Sequence, residues 1–429
     1  MDGLWFTTAV FFLLFLLRVP IHLVLLSSSI VGLLLAPSSI PFSTVPQTLW
    51  QGLNHFLLLA VPFFVLMGDL AVASGVTQRL VDAAKAFVGH IRGGLAHVSI
   101  IANMIMAGMS GSDLADAAAT GRLLIPAMRK AGYPAGYAAS IIGGAAMIGP
   151  LVPPSISFLL FAAATNVSVG RLFLAGAVPG VLLGFALMVQ AYFVARKGGY
   201  PVEPRLPYRE RVSITFRSAP VMMIPVAVLG SFFGGIATPT ESAVIGILAV
   251  LICGMLIYRE LSLSALADQL ISSAKTVGSI FVIIAASAMF GRVLTLYKAA
   301  QGLSDWVIGL TNDPVVFLCV INVVYLVMGC MIDTVPIILV FVPLLMPTVT
   351  KLGIDPVHFG SVTVFNLLIG LVTPPYGLTM FLLCKLTGIG MVEFWRYMWP
   401  ILLTMIVSLI ALTLFPQLSL WLPNLLMPV

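Results

Sequence analysis

Charge is what this sequence lacks most. Its 429 residues include 21 Lys or Arg and 15 Asp or Glu, so that 8% are charged, where a soluble domain carries about 25%. So few charged side chains cannot form the solvated skin that a globule of this size needs, and a water-soluble fold is excluded. Cysteine is also scarce. Cys253, Cys319, Cys330 and Cys384 lie in apolar stretches without paired spacing, which argues against a disulfide framework and against a thiolate metal site. No phosphate-cradling GxxxxGK[ST] loop and no HExxH pattern occurs, and His22, His55, His90, His97 and His358 have no metal-ligand spacing. Hydrolysis of ATP is thereby excluded, and the chain is not read as an enzyme. No basic stretch precedes the first apolar run, whose first arginine, Arg18, comes after it. That order is wrong for a cleaved signal, so the first segment is expected to stay in the membrane.

What the chain has in abundance is hydrophobic residues, 60% of the total. Lipid must be the solvent for most of this surface, which makes the fold class an all-α polytopic membrane protein. The net charge of +6 then reads as orientation signals in short loops facing anionic membrane lipid, with no nucleic acid implied.

Apolar stretches run over about 4–17, 19–36, 47–74, 94–127, 135–168 and 171–195. The polar segment 196–217 (RKGGYPVEPRLPYRERVSITFR) follows and reads as a cytoplasmic linker. A second series lies at about 219–235, 239–258, 266–291, 315–346, 356–387 and 397–422. Sliding the chain by 221 residues superposes Gly108 on Gly329, Pro126 on Pro347, Gly149 on Gly370, and the pair Pro153-Pro154 on Pro374-Pro375. Eleven identities fall between 108 and 154 without a gap, against roughly four expected by chance. The sequence therefore predicts two repeats, 1–195 and 218–429, joined by the 196–217 linker. If 94–127 and 315–346 are re-entrant hairpins, each half crosses the membrane an odd number of times and the second is inverted relative to the first. That topology puts seventeen basic residues on the cytoplasmic side and leaves Arg171, Arg292, Lys298 and Lys351 outside, a strong positive-inside asymmetry.

The chemistry is expected at the hairpin tips and at two breaks. Ser110-Gly111-Ser112, followed by Asp113 and Asp116, sits at the middle of the first hairpin. Irregular backbone at membrane depth is tolerated only when buried in protein or lining a cavity, and such a tip offers oxygens to a hard cation such as sodium. The alternative is a tip of small packing residues whose acids cap the next helix. In the second hairpin Asp333, with Thr334, lies in an otherwise apolar run and needs a cation, a proton or a capping role. After each hairpin comes a proline-broken apolar segment, Gly149-Pro150-Leu151-Val152-Pro153-Pro154 and Gly370-Leu371-Val372-Thr373-Pro374-Pro375. Adjacent prolines interrupt a helix, and paired interruptions in two inverted halves mark a secondary transporter's binding site, where amide ends face an anion and free carbonyls a cation. Thr238-Pro239-Thr240-Glu241 fits a capping box. Arg292 either meets a substrate carboxylate or snorkels to the interface, and Asn366 either donates to substrate or bonds a neighbouring helix.

Taken together, PFFVLMGDL at 62–70, SGSDLADAAATG at 110–121, IPAMRKAGY at 125–133, IGPLVPPSI at 148–156, TPTESA at 238–243 and FGSVTVFNLLIGLVTPPYG at 359–377 resemble the large membrane (M) subunit of the tripartite ATP-independent periplasmic (TRAP) transporters over essentially the whole chain. The resemblance implies an elevator-type, sodium-coupled importer of carboxylate-bearing solutes in the bacterial inner membrane. It implies two further partners, a soluble periplasmic substrate-binding protein and a small membrane subunit, here expected as a separate chain. It places sodium (Na+) at Ser110, Gly111, Ser112, Gly149 and Pro150 in one half, and at Asp333, Thr334, Thr373 and Pro374 in the other. Ser112, Asn366 and Arg292 are the candidate substrate contacts. Asp113 departs from the family pattern, which has a small residue there. Alternatives are a stand-alone sodium/dicarboxylate-type carrier, an ion channel or a membrane scaffold.

Overall fold

The computed structural model describes residues 2–36, 41–200, 202 and 204–428. Among these the chain is helical, without strands. The first half contains α1 (Asp2–Leu16), α2 (Ile21–Leu34), α3 (Thr44–Leu53), α4 (Ala60–Ala73), α5 (Val76–Val88), α6 (Gly94–Ser110), α7 (Asp113–Lys130), α8 (Ala135–Ala146), α9 (Ile156–Thr165) and α10 (Val169–Gly198). The second contains α11 (Tyr208–Phe233), α12 (Pro239–Leu251), α13 (Leu263–Leu296), α14 (Ala299–Leu310), α15 (Pro314–Gly329), α16 (Thr334–Lys351), α17 (Pro356–Leu371), α18 (Leu378–Thr387), α19 (Met391–Leu414) and α20 (Gln417–Leu426). Seven of the described helices are long and apolar enough to cross a membrane unaided.

Displaced by 221 residues, α7 falls on α16 residue for residue, and α1, α2, α5, α6, α8, α9 and α10 fall on α11, α12, α14, α15, α17, α18 and α19. The match is looser where α13 runs unbroken opposite α3 and α4, which a 3-10 turn at Phe56–Leu59 separates. The stretch 47–74 is thus two helices rather than one apolar segment. Likewise 239–258 is α12 continued by a π-helical turn, Ile252–Ile257. The non-helical connection between the halves is shorter than the polar stretch 196–217, because α10 extends to Gly198 and α11 begins at Tyr208. Two helices, α5 and α14, occupy stretches too polar to read as spans, and each precedes a hairpin.

Local chemistry explains the helix ends that matter. Ser112 caps α7 by accepting from Ala115 N at 3.4 Å, Asp113 and Asp116 lie in its positive first turn, and Arg129 and Lys130 lie in its negative last turn. Asp333 caps α16, and Lys351 ends it. The hairpin α6/α7 packs against α8, and α15 packs against α17. The halves also interlock, since α7 meets α18 and α16 meets α9. Around this unit, α4 packs on α12 and α13, α11 on α5, α6 and α12, and α1 on α2.

Candidate functional site

Each hairpin tip faces a helix break, the first pair largely buried and the second half-buried at Asp333 and exposed at Met331, Pro375 and Tyr376. At the first tip the chain turns at Gly111, which adopts a left-handed φ of 59°. A Cβ there would lie 2.7 Å from Pro154 O in the facing break, so only glycine allows this approach. Ser110 Oγ donates to Asp116 Oδ1 at 2.5 Å. Asp116 is fully buried, and its other oxygen, Oδ2, has no hydrogen-bond partner among the described residues. That oxygen points at the first break, where a Cβ on Gly149 would collide with it. Ser110, Asp116 and Gly149 thereby surround one spot, with Gly111 and Ser112 at the turn and Pro150 buried in the break.

The second tip is built differently. Asp333 Oδ1 accepts from Thr334 N at 2.7 Å, whereas Thr334 Oγ1 is buried without a partner among the described residues. Tyr376 N donates to Cys330 O at 3.0 Å, tying the second break to this tip. Thr373 Oγ1 closes its own turn on Ile369 O at 2.7 Å, one residue before Pro374. Gly370, the counterpart of Gly149, lies against the backbone of Gly329, where a Cβ would overlap the Gly329 carbonyl carbon. The X-Pro bonds Pro153-Pro154 and Pro374-Pro375 are both cis.

One bond joins the two tip-and-break units: Thr379 Oγ1, at the start of α18, donates to Asp113 Oδ2 at 2.5 Å. Asp113 also lies within electrostatic range of Asp333. Three carboxylates, Asp113, Asp116 and Asp333, are therefore gathered around the tips, and none forms an ion pair among the described residues. Uncompensated carboxylates in a low-dielectric interior require cations or protons. Among the described residues, no three Asp, Glu, His or Cys side chains converge on a single metal position. A cation held here would have to rely on single carboxylates with hydroxyls and backbone carbonyls, a donor set suited to a hard monovalent ion.

Asp113, Asp116 and Thr379 lie together at the tips; the sequence left the two acids open between an ion-binding tip and helix caps, and did not reach Thr379. The only signal was two acids in one turn of an apolar hairpin. Other candidates lie elsewhere. Arg292 is exposed on α13, with no hydrogen-bond or ion-pair partner among the described residues, and the structure does not bring it to the tips. Asn366 is buried and donates to Asn322 O at 2.9 Å and Asn322 Oδ1 at 2.8 Å, while Asn322 donates to Thr413 Oγ1 at 2.8 Å. The amide nitrogen thus bonds neighbouring helices, linking α17, α15 and α19, while Asn366 Oδ1 is buried without a hydrogen-bond partner among the described residues. Thr238 and Glu241 form the capping box, with Thr238 N donating to Glu241 Oε2 at 2.7 Å and Glu241 N to Thr238 Oγ1 at 3.4 Å.

With that geometry in place, the relatives of the chain are informative. The family model described as the tripartite ATP-independent periplasmic transporter, DctM component, matches residues 8–418. The sialic acid TRAP transporter large permease protein SiaM of Vibrio cholerae is 37% identical over 91% of this chain and 92% of its own length. The C4-dicarboxylate TRAP transporter large permease protein DctM of Pseudomonas aeruginosa is 40% identical over 93% of each. Among solved structures, the YdaH transporter of Alcanivorax borkumensis superposes with a TM-score of 0.63 at 15% identity, covering 94% of this chain and 97% of that one. That likeness concerns the fold.

Proposed function

The chain belongs to the DctM component family of tripartite ATP-independent periplasmic transporters, and from that premise we propose that it couples sodium entry to import of a carboxylate-bearing solute by an elevator movement. It is a multi-pass membrane protein that performs secondary transport within a tripartite system, and it is not an enzyme. The observation that carries the sodium reading is Asp116 Oδ2, a buried carboxylate oxygen without a donor, set beside Ser110 and Gly149. One sodium ion is assigned to Ser110, Gly111, Ser112, Asp116, Gly149 and Pro150, and a second to Asp333, Thr334, Thr373 and Pro374. Each ion moving inward gains roughly 2.3 kcal/mol per 100 mV from the membrane potential, so two ions entering with a monocarboxylate leave one net charge driven by the potential, whereas with a dicarboxylate the sodium concentration gradient alone drives uptake.

The substrate carboxylate would lie near Ser112, where the amide ends of half-helices face the sodium ions. Neutralising the acids with sodium is what allows an anion to approach them, and this supplies the coupling: an empty site repels a carboxylate, and a loaded one attracts it. The elevator reading is supported by how the bundle is bonded. Buried hydrogen bonds tie the broken helices to their neighbours, Ser140 to Phe394 O at 2.9 Å and Ser361 to Ala175 O at 3.1 Å. A separate bond from Ser273 to Asp69 at 2.5 Å ties α13 to α4 in the surrounding helices. Between the two sets, Gly68 abuts Ser110 and Gly108 abuts Pro225, small-residue contacts that a rigid body can slide across.

The described helices are joined by short connections, none large enough to fold a ligand-capturing domain outside the membrane. Delivery of substrate by a soluble periplasmic binding protein, with a separate small membrane subunit, completes the proposal. It is tested in proteoliposomes by applying an inward sodium gradient to the complex, with labelled sialic acid and labelled succinate as probes. Uptake is expected only with both the gradient and the binding protein. Uptake without the binding protein points to a stand-alone carrier, and substrate-independent current points to a channel.

A further inference from the structure

The two halves are not closed alike. In the first, α11 packs over α5 and the hairpin helix α6, with Pro225 seated on Gly108. Its counterpart α1 packs chiefly on α2. Beside the second tip there is instead a cavity of about 340 Å³, lined on one wall by Phe15, Arg18 and Ile21 and on the other by Asp333, Tyr376 and Gly377. Arg18 is the basic residue of this lining. It is exposed, and its guanidinium has no hydrogen-bond or ion-pair partner among the described residues. The α1–α2 turn that carries it is closed by backbone bonds, Arg18 N to Phe15 O at 3.0 Å and Val19 N to Leu14 O at 3.2 Å, so the side chain hangs from a fixed point.

We propose that Arg18 receives the substrate's carboxylate in this cavity, on the route between the second tip and the membrane face that holds the α1–α2 turn. This rests on the carboxylate-transport reading above. A guanidinium matches a carboxylate in both charge and fork geometry. Its position opposite Asp333 gives the cavity a cationic end and an acidic end. Once the sodium at Asp333 leaves, the acid repels the substrate and Arg18 attracts it, which gives release a direction. A lipid headgroup phosphate would satisfy the same guanidinium, so the experiment must separate the two anions.

The test uses the full chain in proteoliposomes, with native cysteines replaced and Met331→Cys, in the cavity wall, as the sole thiol. The probes are an anionic and a cationic methanethiosulfonate reagent. Arg18→Asn removes the charge with a residue that tolerates the left-handed backbone (φ 59°) of this position. It is expected to lower the anionic-to-cationic rate ratio by about threefold or more, and Arg18→Lys to restore it. The effect should appear in phosphatidylcholine and persist with added phosphatidylglycerol. An unchanged ratio overturns the proposal, and so does an effect that vanishes with anionic lipid, which would identify the occupant as a headgroup. In sodium-driven uptake of sialic acid or succinate by the complete complex with its binding protein, Arg18→Asn is expected to slow transport about fivefold with an unaltered sodium half-saturation, and a wild-type rate counts against it. If the unmodified complex with its binding protein shows no sodium-driven uptake, the sodium reading falls while the rate ratio still decides Arg18.

Discussion

Asp116 and Asp333 are each the first-turn or capping acid of a helix, and one helix end can use such a residue for capping, for ion binding or for both. What separates the two uses is whether an oxygen is left over. Asp116 Oδ2 is left over, buried and turned towards Gly149, so Asp116→Asn, which keeps the shape and removes the charge, is expected to weaken sodium half-saturation by about tenfold or more. A change in folded yield alone, with sodium dependence intact, would assign Asp116 to capping. Asp333→Ala should likewise reduce sodium stimulation far more than expression. Gly370→Ala tests packing instead. Its Cβ would overlap Gly329, and an overpacked contact costs about 1–3 kcal/mol, to be read as a drop in thermal midpoint with the sodium shift on melting retained. The serines and glycines of the first tip were legible in the sequence because bare polar backbone is rare at membrane depth. Asp113 was legible as an acid of that tip, but its pairing with Thr379 was not, since their bond spans 266 positions of chain and no local pattern announces it.

At the scale of helices, α5 is held to the α12–α13 connection by a clamp that sequence periodicity does not contain. Arg79 donates to both oxygens of Glu260, at 2.7 and 3.1 Å, its guanidinium lies 3.7 Å over the Tyr258 ring, and Ser218 Oγ donates to Arg79 O at 3.1 Å. The hydrogen bonds from Arg79 hold the Glu260 carboxyl below its ordinary value of 4.5. A lowered carboxylate stabilises the fold above its ordinary pKa, and that contribution is lost as pH falls through the lowered value. The clamp should therefore be intact at neutral pH and weaken only below about pH 4.5. Glu260→Gln is expected to cost under about 1 kcal/mol, because the pair is largely solvated, and to raise hydrogen exchange in α5 with no change in transport. The capping box of α12 was readable from Thr-Pro-Thr-Glu alone, since capping is a relation among residues three apart. Helices α5 and α14 were missed because amphipathic interfacial helices carry too many polar residues for a hydropathy scan.

For the whole molecule, the topology is the claim most open to direct measurement. If the halves are inverted, the α7–α8 turn and the α16–α17 turn lie on opposite faces of the membrane. Lys130→Cys should then be labelled by a membrane-impermeant thiol reagent only from the cytoplasmic side, and Lys351→Cys only from the outside. Labelling of both from one side would replace inversion with a parallel repeat. The sequence by itself determined the solvent, the two-fold repetition and the places where helices break. These depend on composition, on a constant offset of 221 residues and on proline chemistry, all of which are properties of residues near one another in the chain. Only the tertiary structure decided which acids gather at the tips, that the Asn366 nitrogen bonds a neighbouring helix while Arg292 stands apart, and that the second tip opens on a cavity where the first is covered. Those outcomes depend on which helices pack together, and in a chain so uniformly apolar almost any face could serve as an interface. The choice is made by small-residue contacts and buried polar bonds between segments hundreds of residues apart.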